Sequence, residues 1–452
     1  MQFSIPDEVL GIIKRFEERG FEIYIVGGAV RDLLMEKLTN DWDFTTNADP
    51  EEILKVIPEG FYDNKFGTVG LESKEGFRPH ELTTFRTEEG YSDRRRPDKV
   101  VWGKSLKEDL QRRDFTINAI ALKTRNFEII DPYNGQEDLK NKIIRAVGDS
   151  NKRFREDALR LMRGIRIASQ LGFTIEEKTF EAIKGNATLI REIAKERIRD
   201  ELLKLLASPY PYEGAILFRN SGLMQEILPE MEKTFGVDQK SPGRHHIYDV
   251  GTHSLMSLKF CKSPDPIVRF ATLIHDIGKP VTYKKLENGV ITFYNHEVVS
   301  GGIARRIADR LRFPNKEKDK LYRLVRYHQF TVDERQTDSA IRRFIRNVGV
   351  ENIPDMLALR TGDRLGGGAR ETSWRLEEFK KRLIEVQKET FSIKDLKVDG
   401  NDVMKILGIP PGPKVGEILN LLLEEVVEKK IENERKILIS RLKSLTNLVP
   451  SN

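Results

Sequence analysis

The feature that most restricts the fold of this chain is a change in its hydrophobic pattern near residue 148. Over residues 1–147, short apolar or alternating stretches typical of strands take turns with amphipathic stretches typical of helices. From about residue 148 onward the apolar spacing is helical throughout. We therefore predict an α+β region at the start of the chain and an almost wholly helical remainder.

Size and composition narrow the classes of protein. The chain has 452 residues, which is room for roughly three or four domains. No apolar run approaches the ~18 residues needed to cross a membrane, and the N-terminus lacks a signal-peptide layout, so we expect a cytoplasmic protein. The single cysteine, Cys261, excludes internal disulfides and a cysteine-built zinc site. Lys and Arg number 77 against 71 Asp and Glu, a mildly basic balance compatible with a nucleic-acid partner but not diagnostic of one.

The first candidate site combines a glycine pair with two aspartates. Gly27 and Gly28 follow a predicted strand and precede a predicted helix from about Val30, so backbone amides can approach a bound phosphate closely. Asp41 and Asp43 lie two apart in an extended stretch, which points both carboxylates to one face and suits Mg²⁺. Each half alone is common in proteins without this chemistry. Together they indicate chemistry on a nucleoside triphosphate.

Three other features of residues 1–147 bear on function, and two of them also have a plain structural interpretation. Glu81 lies on one face of a predicted strand, either as a third active-site carboxylate or as an ordinary strand-edge acid. Arg113 is a candidate triphosphate contact, because guanidinium groups match phosphate oxygens. Residues 87–104 are basic and lack periodicity, which predicts either a solvated connection or a loop that closes over a substrate.

The start of the helical region carries a polar stripe. Its four members recur every three residues: Asp157, Arg160, Arg163 and Arg166. Such stripes are usually solvated helix faces. Adenine and cytosine, however, share an exocyclic amino donor beside an unprotonated ring nitrogen, so an Asp acceptor with an Arg donor would fit both bases and oppose uracil and guanine. We therefore expect Asp157 and Arg160 to select the incoming base.

Five motifs occur in order between residue 20 and about residue 205: Gly27-Gly28-x-Val30-Arg31-Asp32, Asp41-x-Asp43, Arg112-Arg113-Asp114-Phe115-x-x-Asn118-Ala119, Glu156-Asp157-x-x-Arg160 and Glu196-Arg197-Ile198-x-x-Glu201-Leu202. In order and spacing they resemble the motifs of bacterial class II tRNA nucleotidyltransferases, the CCA-adding enzymes. Near the C-terminus, residues 398–413 resemble the tRNA-gripping tail of that family.

This resemblance implies a polymerase-β-type head with a small mixed sheet at 1–147, a helical neck at 148–240 and a tRNA-binding tail at 371–452. It implies that Asp41 and Asp43 are catalytic and hold Mg²⁺. It also implies a nucleotide-binding set: Gly28, Arg31, Arg113, Asp157, Arg160, Arg163 and Arg166. The implied reaction adds the terminal CCA to the 3′ end of tRNA from CTP and ATP.

The middle of the chain holds a second constellation. Its predicted metal ligands are His253, His275, Asp276 and Asp363, with His296 and His328 between them in the sequence. Imidazole and carboxylate ligands suit a divalent metal that activates water against a phosphate ester. The set resembles the HD phosphohydrolase superfamily, which predicts an HD domain at 241–370 with a second divalent metal, serving either as a hydrolase or mainly as an RNA-binding body.

Several alternatives stay open at this point. A poly(A) polymerase or an A-adding enzyme shares most of these motifs. The chain could also be chiefly an HD phosphohydrolase with a nucleotide-binding head. Basic helices over 303–327 would suit RNA phosphates, although a solvated face is almost as good an explanation for any one residue there. The oligomeric state is open.

Overall fold

The structure is a computed structural model that describes residues 3–64, 67–72, 79–89, 99–102, 105–240, 247–330, 336–388, 393–427 and 430–445. Its first part is the predicted α+β head. The elements of the head are α1 (Asp7–Glu17), β1 (Ile23–Val26), α2 (Gly28–Leu34), β2 (Asp43–Thr46), α3 (Pro50–Val56), β3 (Phe61–Asn64), β4 (Thr68–Leu71), β5 (His80–Thr84), β6 (Arg86–Glu89), β7 (Lys99–Trp102), α4 (Leu106–Gln111), β8 (Ala121–Lys123), β9 (Glu128–Ile130), α5 (Gly135–Asn141) and β10 (Ile143–Ile144).

Seven strands of the head form one mixed sheet in the order β3-β4-β5-β2-β1-β8-β9. Only β2 and β5 run parallel, and the other neighbours are antiparallel. Helices α1, α2 and α3 bury their apolar sides with this sheet in a single core. Helix α3 begins as its sequence predicts, with a capping box between Asp49 and Glu52 and a proline at its first position.

The predicted loop over 87–104 is in part a ribbon. Strands β6 and β7 pair antiparallel, from Arg86 opposite Trp102 to Glu89 opposite Lys99, so the two ends of that stretch are strands. The rest of the stretch, residues 90–98 and 103–104, lies outside the described residues. The sequence predicted a loop here because these strands show no clear apolar alternation, and only their backbone pairing defines them as strands.

The remainder is almost wholly helical, as expected. Its elements are α6 (Ser150–Glu156), α7 (Leu159–Leu171), β11 (Thr174–Ile175), α8 (Glu177–Gly185), α9 (Lys195–Leu206), α10 (Pro211–Asn220), α11 (Leu223–Ile227), α12 (Pro229–Glu232), α13 (Val250–Phe260), α14 (Pro266–Ile274), α15 (Lys279–Thr282), β12 (Lys284–Lys285), β13 (Ile291–Thr292), α16 (His296–Arg310), α17 (Asn315–Tyr327), α18 (Asp338–Val348), α19 (Ile353–Gly366), α20 (Trp374–Lys388), α21 (Gly400–Leu407), α22 (Pro413–Val427) and α23 (Arg435–Leu445).

Two apolar cores organise these helices. One contains buried side chains from Phe115 to Val386, so the predicted neck and the predicted HD region share a core with the end of the predicted head and the start of the predicted tail. The other contains side chains from Leu396 to Leu445, all within the predicted tail. The domain boundaries at 240 and 370 stay predictions. Among the described residues, no helix combines the length and apolar character that crossing a membrane requires.

Candidate functional sites

The carboxylates of the head meet where three strands lie side by side. Asp43, the first residue of β2, pairs with Val26 at the end of β1 and with Glu81 on β5. Asp41 is exposed two residues before Asp43. Burial raises the pKa of Asp43 to about 7, the negative charges of Glu81 and Asp41 add to the rise, and Arg113 opposes it. Crowded carboxylates of this kind fit a divalent cation, which would relieve their repulsion.

Gly27 lies directly before α2, and its conformation explains the first glycine of the pair. Its φ of +74° is a conformation that side-chain-bearing residues rarely adopt. A Cβ there would lie 3.1 Å from Nη1 of Arg113 and 3.3 Å from Oδ2 of Asp43. The backbone of Gly27 therefore sits between the arginine and the aspartate. Gly28 is less constrained, because a Cβ there would meet Arg31 at an ordinary 3.5 Å.

Arg113 is held by Asp109, a buried acid within α4. Its Nη2 lies 3.4 Å from Oδ2 of Asp109, and Nη2 of Arg112 donates to Oδ1 of the same carboxylate at 2.7 Å. Burial disfavours the charge on Asp109, but the two arginines outweigh burial and lower its pKa. The buried Nε of Arg113 has no hydrogen-bond partner among the described residues, so this guanidinium keeps a donor for a further acceptor.

A hydrogen-bonded chain joins the head to helix α7. Nη1 of Arg31 donates to Oδ1 of Asn118 at 2.9 Å, and Nδ2 of Asn118 donates to Oδ1 of Asp114 at 3.1 Å. Oδ2 of Asp114 accepts from Nε of Arg163 at 2.7 Å. Burial raises the pKa of Asp114, but Arg163 and the other hydrogen bonds outweigh it and leave the pKa below its ordinary value. The predicted nucleotide contacts Arg31 and Arg163 thus belong to one charged network.

The predicted polar stripe is not continuous on one helix. Helix α6 ends at Glu156, α7 begins at Leu159, and Asp157 lies between them in an extended conformation with φ −133° and ψ 104°. Its Oδ1 accepts from the backbone N–H of Leu159 at 3.0 Å, and its Oδ2 accepts from Arg197 at 3.2 Å. The stripe prediction was wrong at this residue because a local side-chain-to-backbone hydrogen bond competes with the helix.

The arginines of α7 have different surroundings. Arg160 is buried, and its guanidinium donates to the carbonyls of Arg112 and Arg153 and to Glu156. Arg166 lies 2.7 Å from Oε2 of Glu201. Burial lowers the pKa of Arg166, and Glu201 partly offsets the effect. Arg160 is therefore bonded to the head at the carbonyl of Arg112, the residue before Arg113.

All four predicted metal ligands of the middle region come together. Nε2 of His253 lies 3.1 Å from Oδ1 of Asp363, and Nε2 of His275 lies 3.2 Å from Oδ2 of Asp276. The sequence explains the approach of α13 and α19, because a Cβ on Gly362 or Gly366 would lie 2.7 Å and 2.5 Å, respectively, from backbone atoms of Ser257. Glycines thus let the helix with His253 pack directly on the helix with Asp363.

Two further histidines, for which the sequence indicated no role, complete this cluster. Nε2 of His296 and Nε2 of His328 lie 3.2 Å and 3.5 Å from Oδ1 of Asp276. Gly278 permits this approach, since a Cβ there would lie 2.6 Å from the carbonyl oxygen of His296. Lys279 also reaches the cluster, with Nζ 2.6 Å from Oδ2 of Asp276. The available signal was the concentration of six of the seven histidines between residues 245 and 328.

The donors of this histidine–aspartate cluster fit a divalent metal. Nδ1 of each of three histidines hydrogen-bonds a backbone carbonyl, which turns Nε2 inward: His275 to Thr272, His296 to Phe293 and His328 to Val325. Burial opposes charge on His275, but Asp276 and Asp363 outweigh burial and raise its pKa to about 10. The carboxylates of Asp276 and Asp363 therefore favour positive charge at the neighbouring imidazoles. Imidazole nitrogens combined with carboxylate oxygens are a donor set that suits a transition metal.

Comparison with known proteins shows the family. Residues 23–145 match the poly A polymerase head domain, 172–235 the "Probable RNA and SrmB- binding site of polymerase A", and 298–442 a tRNA nucleotidyltransferase domain 2. The CCA-adding enzyme of Geobacillus kaustophilus is 34% identical over 431 residues, which is 95% of this chain and 95% of that protein. The chain belongs to the CCA-adding enzyme family.

Other CCA-adding enzymes agree with this assignment. That of Lactobacillus helveticus is 46% identical over 228 residues, 50% of this chain and 56% of that protein. The crystal structure of the Bacillus stearothermophilus CCA-adding enzyme in complex with CTP is 30% identical, with a TM-score of 0.69 over 98% of this chain and 97% of that chain. The resemblance seen in the motifs is therefore confirmed. An HD domain is not named by the matching family models, and it stays a prediction.

Proposed function

We propose that this protein adds the 3′-terminal CCA to tRNA from CTP and ATP, with protein side chains in place of a nucleic-acid template. Similarity to CCA-adding enzymes along nearly the whole chain supports the reaction. The observation that carries its location is the approach of Asp43 to Gly27 and Arg113, with Glu81 paired beside Asp43 on the next strand. Its substrates, tRNA and nucleoside triphosphates, are those of the cytoplasm, where we place the reaction.

Asp41 and Asp43, with Glu81 beside them, would hold Mg²⁺, which supplies charge neutralisation at the reacting phosphate. The 3′-hydroxyl oxygen of tRNA forms the new bond to the α-phosphorus, the bond between the α- and β-phosphates breaks, and pyrophosphate leaves. The free donor of Arg113 and the cations of Arg31, Arg163 and Arg166 bind the triphosphate, and Gly28 lets it approach the backbone. Nucleotide positioning thus depends on both head and neck.

Base choice belongs to Asp157 and Arg160. Asp157 accepts from the amino group shared by adenine and cytosine, and Arg160 donates to the adjacent ring nitrogen. For this, Arg160 exchanges part of its bonding to the carbonyls of Arg112 and Arg153 for the base. Uracil and guanine would leave these groups facing donors or acceptors of the wrong kind.

The carboxylate assignment is tested by Asp41→Asn and Asp43→Asn. Either variant should abolish incorporation of CTP and ATP into tRNA that lacks its 3′ end, because the Mg²⁺ ligands are lost, while tRNA binding by gel shift stays intact. Glu51→Gln, which changes an exposed acid on α3, is the matched control and should keep full activity. Wild-type incorporation by an Asp43→Asn protein would reject the site.

The histidine–aspartate cluster supports a second activity, hydrolysis of phosphate esters with a divalent metal. A bound metal there would lower the pKa of a coordinated water and make it a nucleophile. His253, His275, Asp276 and Asp363 would hold the metal, and His296 and His328 would add nitrogen donors. Inward-facing Nε2 atoms fixed by backbone carbonyls are the observation that favours this activity over a purely structural, RNA-binding body.

Metal binding can be measured apart from the head. In an Asp43→Asn background, calorimetric titration of EDTA-treated protein with MnCl₂ should show one site, and His275→Ala should remove it. Asp309→Asn, an exposed acid on α16, is the matched control. Unchanged Mn²⁺ binding after His275→Ala, or no hydrolysis of bis(p-nitrophenyl) phosphate by the Mn²⁺-loaded protein, would count against the hydrolase.

A further inference from the structure

A cavity of about 680 Å³ lies beside the histidine–aspartate cluster. Its walls come from three helices and the chain just after a fourth: Glu297 on α16, Arg360 and Arg364 on α19, Trp374 and Arg375 on α20, and Phe330 after α17. These elements, apart from α20, also carry the cluster's ligands or adjoin them. The cavity and the cluster are thus built from the same part of the fold.

Two contacts join the cavity to the cluster directly. Nη1 of Arg360 donates to Oδ2 of Asp363 at 2.8 Å, and Oδ1 of that aspartate faces His253 at 3.1 Å. Glu297 lies 3.9 Å from Nδ1 of His296. A ligand in the cavity that contacts Arg360 therefore touches a side chain that is itself hydrogen-bonded to Asp363, a predicted metal ligand.

The chemistry of the cavity is cationic and aromatic. It has three arginines against one glutamate, and the buried Nε of Arg360 has no hydrogen-bond partner among the described residues. Trp374 is 63% exposed, with the guanidinium of Arg375 5.2 Å from its ring centre. Guanidinium groups bind phosphate oxygens, and an exposed indole offers a surface on which a base can stack.

We propose that this cavity is the recognition pocket of the cluster and takes the phosphate-bearing end of a nucleotide. The phosphate lies against Arg360, Arg364 and Arg375, and the base stacks on Trp374. This deepens the hydrolase proposed above, because it places a nucleotide phosphate ester beside the metal ligands. The nucleotide is either free or the terminal residue of an RNA, since both present the same groups.

The test is binding by full-length, EDTA-treated protein, so that neither activity nor metal contributes. AMP should quench tryptophan fluorescence, and Trp374→Phe should remove most of that quench. The double variant Arg364→Gln, Arg375→Gln should weaken AMP binding by about tenfold or more, because two phosphate donors are lost. Arg370→Gln, an exposed arginine outside the cavity lining, is the matched control and should leave AMP binding unchanged.

Additional ligands separate the contributions of base and phosphate to binding, and distinguish free nucleotides from RNA ends. Adenosine and inorganic phosphate should each bind more weakly than AMP. A trinucleotide with a 3′-phosphate that loses more affinity than AMP in the double variant identifies RNA ends as the ligand, and the reverse identifies free nucleotides. Equal AMP affinity in wild type and the double variant would overturn the pocket, whatever the Mn²⁺ result. AMP binding that is lost in the double variant would uphold the pocket even if the protein failed to bind Mn²⁺, which would reject only the hydrolase.

Discussion

Gly27 is the residue whose identity the head site requires most strictly. Its positive φ strains the backbone for any other residue, and a Cβ there would push Arg113 or Asp43 aside by a few tenths of an ångström. Gly20 has a similar φ of +82°, but a Cβ there would have nothing within 4 Å. Substitution of Gly20 therefore tests backbone strain without crowding. The sequence indicated a close backbone approach at the glycine pair, but it could not tell which glycine was essential, because that depends on Arg113 more than 80 residues away.

Gly27→Ala and Gly20→Ala should therefore differ in activity but not much in stability. Each costs about 1 kcal/mol of backbone strain. Gly27→Ala should also lower kcat/KM for CTP incorporation by about 100-fold, because it displaces Arg113 or Asp43 from the reacting phosphate. Steady-state incorporation and thermal melting of both variants check this. Equal activity of the two variants would contradict the crowded site.

Asp114 makes stability depend on pH. Because its pKa in the folded protein lies below the ordinary value of 3.8, it stabilises the fold above that value, and this contribution is lost as the pH falls toward the folded pKa. Asp114→Asn should lower stability by about 1–2 kcal/mol at pH 7, since it removes the charged partner of Arg163, whose side chain is 37% exposed and so partly screened by solvent.

The melting-temperature gap between wild type and Asp114→Asn should then shrink as the pH is lowered from 5 to 3. Asp319→Asn, an exposed acid on α17, should show no gap at any pH. A gap that stays constant, or grows, at low pH would mean that Asp114 is not held ionised in the folded protein.

At the scale of elements, α7 connects the helical core of the molecule to the head. Its apolar residues pack in the shared core, while Arg160 and Arg163 bond to the head. Sequence spacing located the helix but not its first turn, because the hydrogen bond from Leu159 to Asp157 ends the helical path there. An aspartate two residues before a helix is the signal that could have been used.

Asp157→Ala should relax base choice. The kcat/KM for UTP and GTP relative to CTP and ATP should rise by about tenfold, which corresponds to loss of one base-matching hydrogen bond. Single-nucleotide incorporation with each of the four triphosphates measures it. Asp200→Ala, on the neck helix α9, is the control. Unchanged discrimination after Asp157→Ala would reject Asp157 as the base-reading residue.

At the scale of the whole molecule, local patterns predicted the fold class and the strands that carry Asp43 and Glu81. Distant packing explains what they missed. The pairing of Glu81 with Asp43 follows from the parallel neighbours β2 and β5, which no local pattern reveals. The entry of His296 and His328 into one cluster follows from the common core that runs from Phe115 to Val386. Residue types indicated the chemistry, whereas the shared core brought the donors together.

The central claim is that one head site, with base choice made by the neck, builds CCA on tRNA. Its most direct test supplies tRNA lacking the 3′ end with CTP alone, then with CTP and ATP, and resolves the products at single-nucleotide length. The account predicts that CTP alone adds two residues and that ATP then adds one more. An enzyme that adds only adenosine to tRNA already ending in CC, or that adds a run of adenosines, would contradict it.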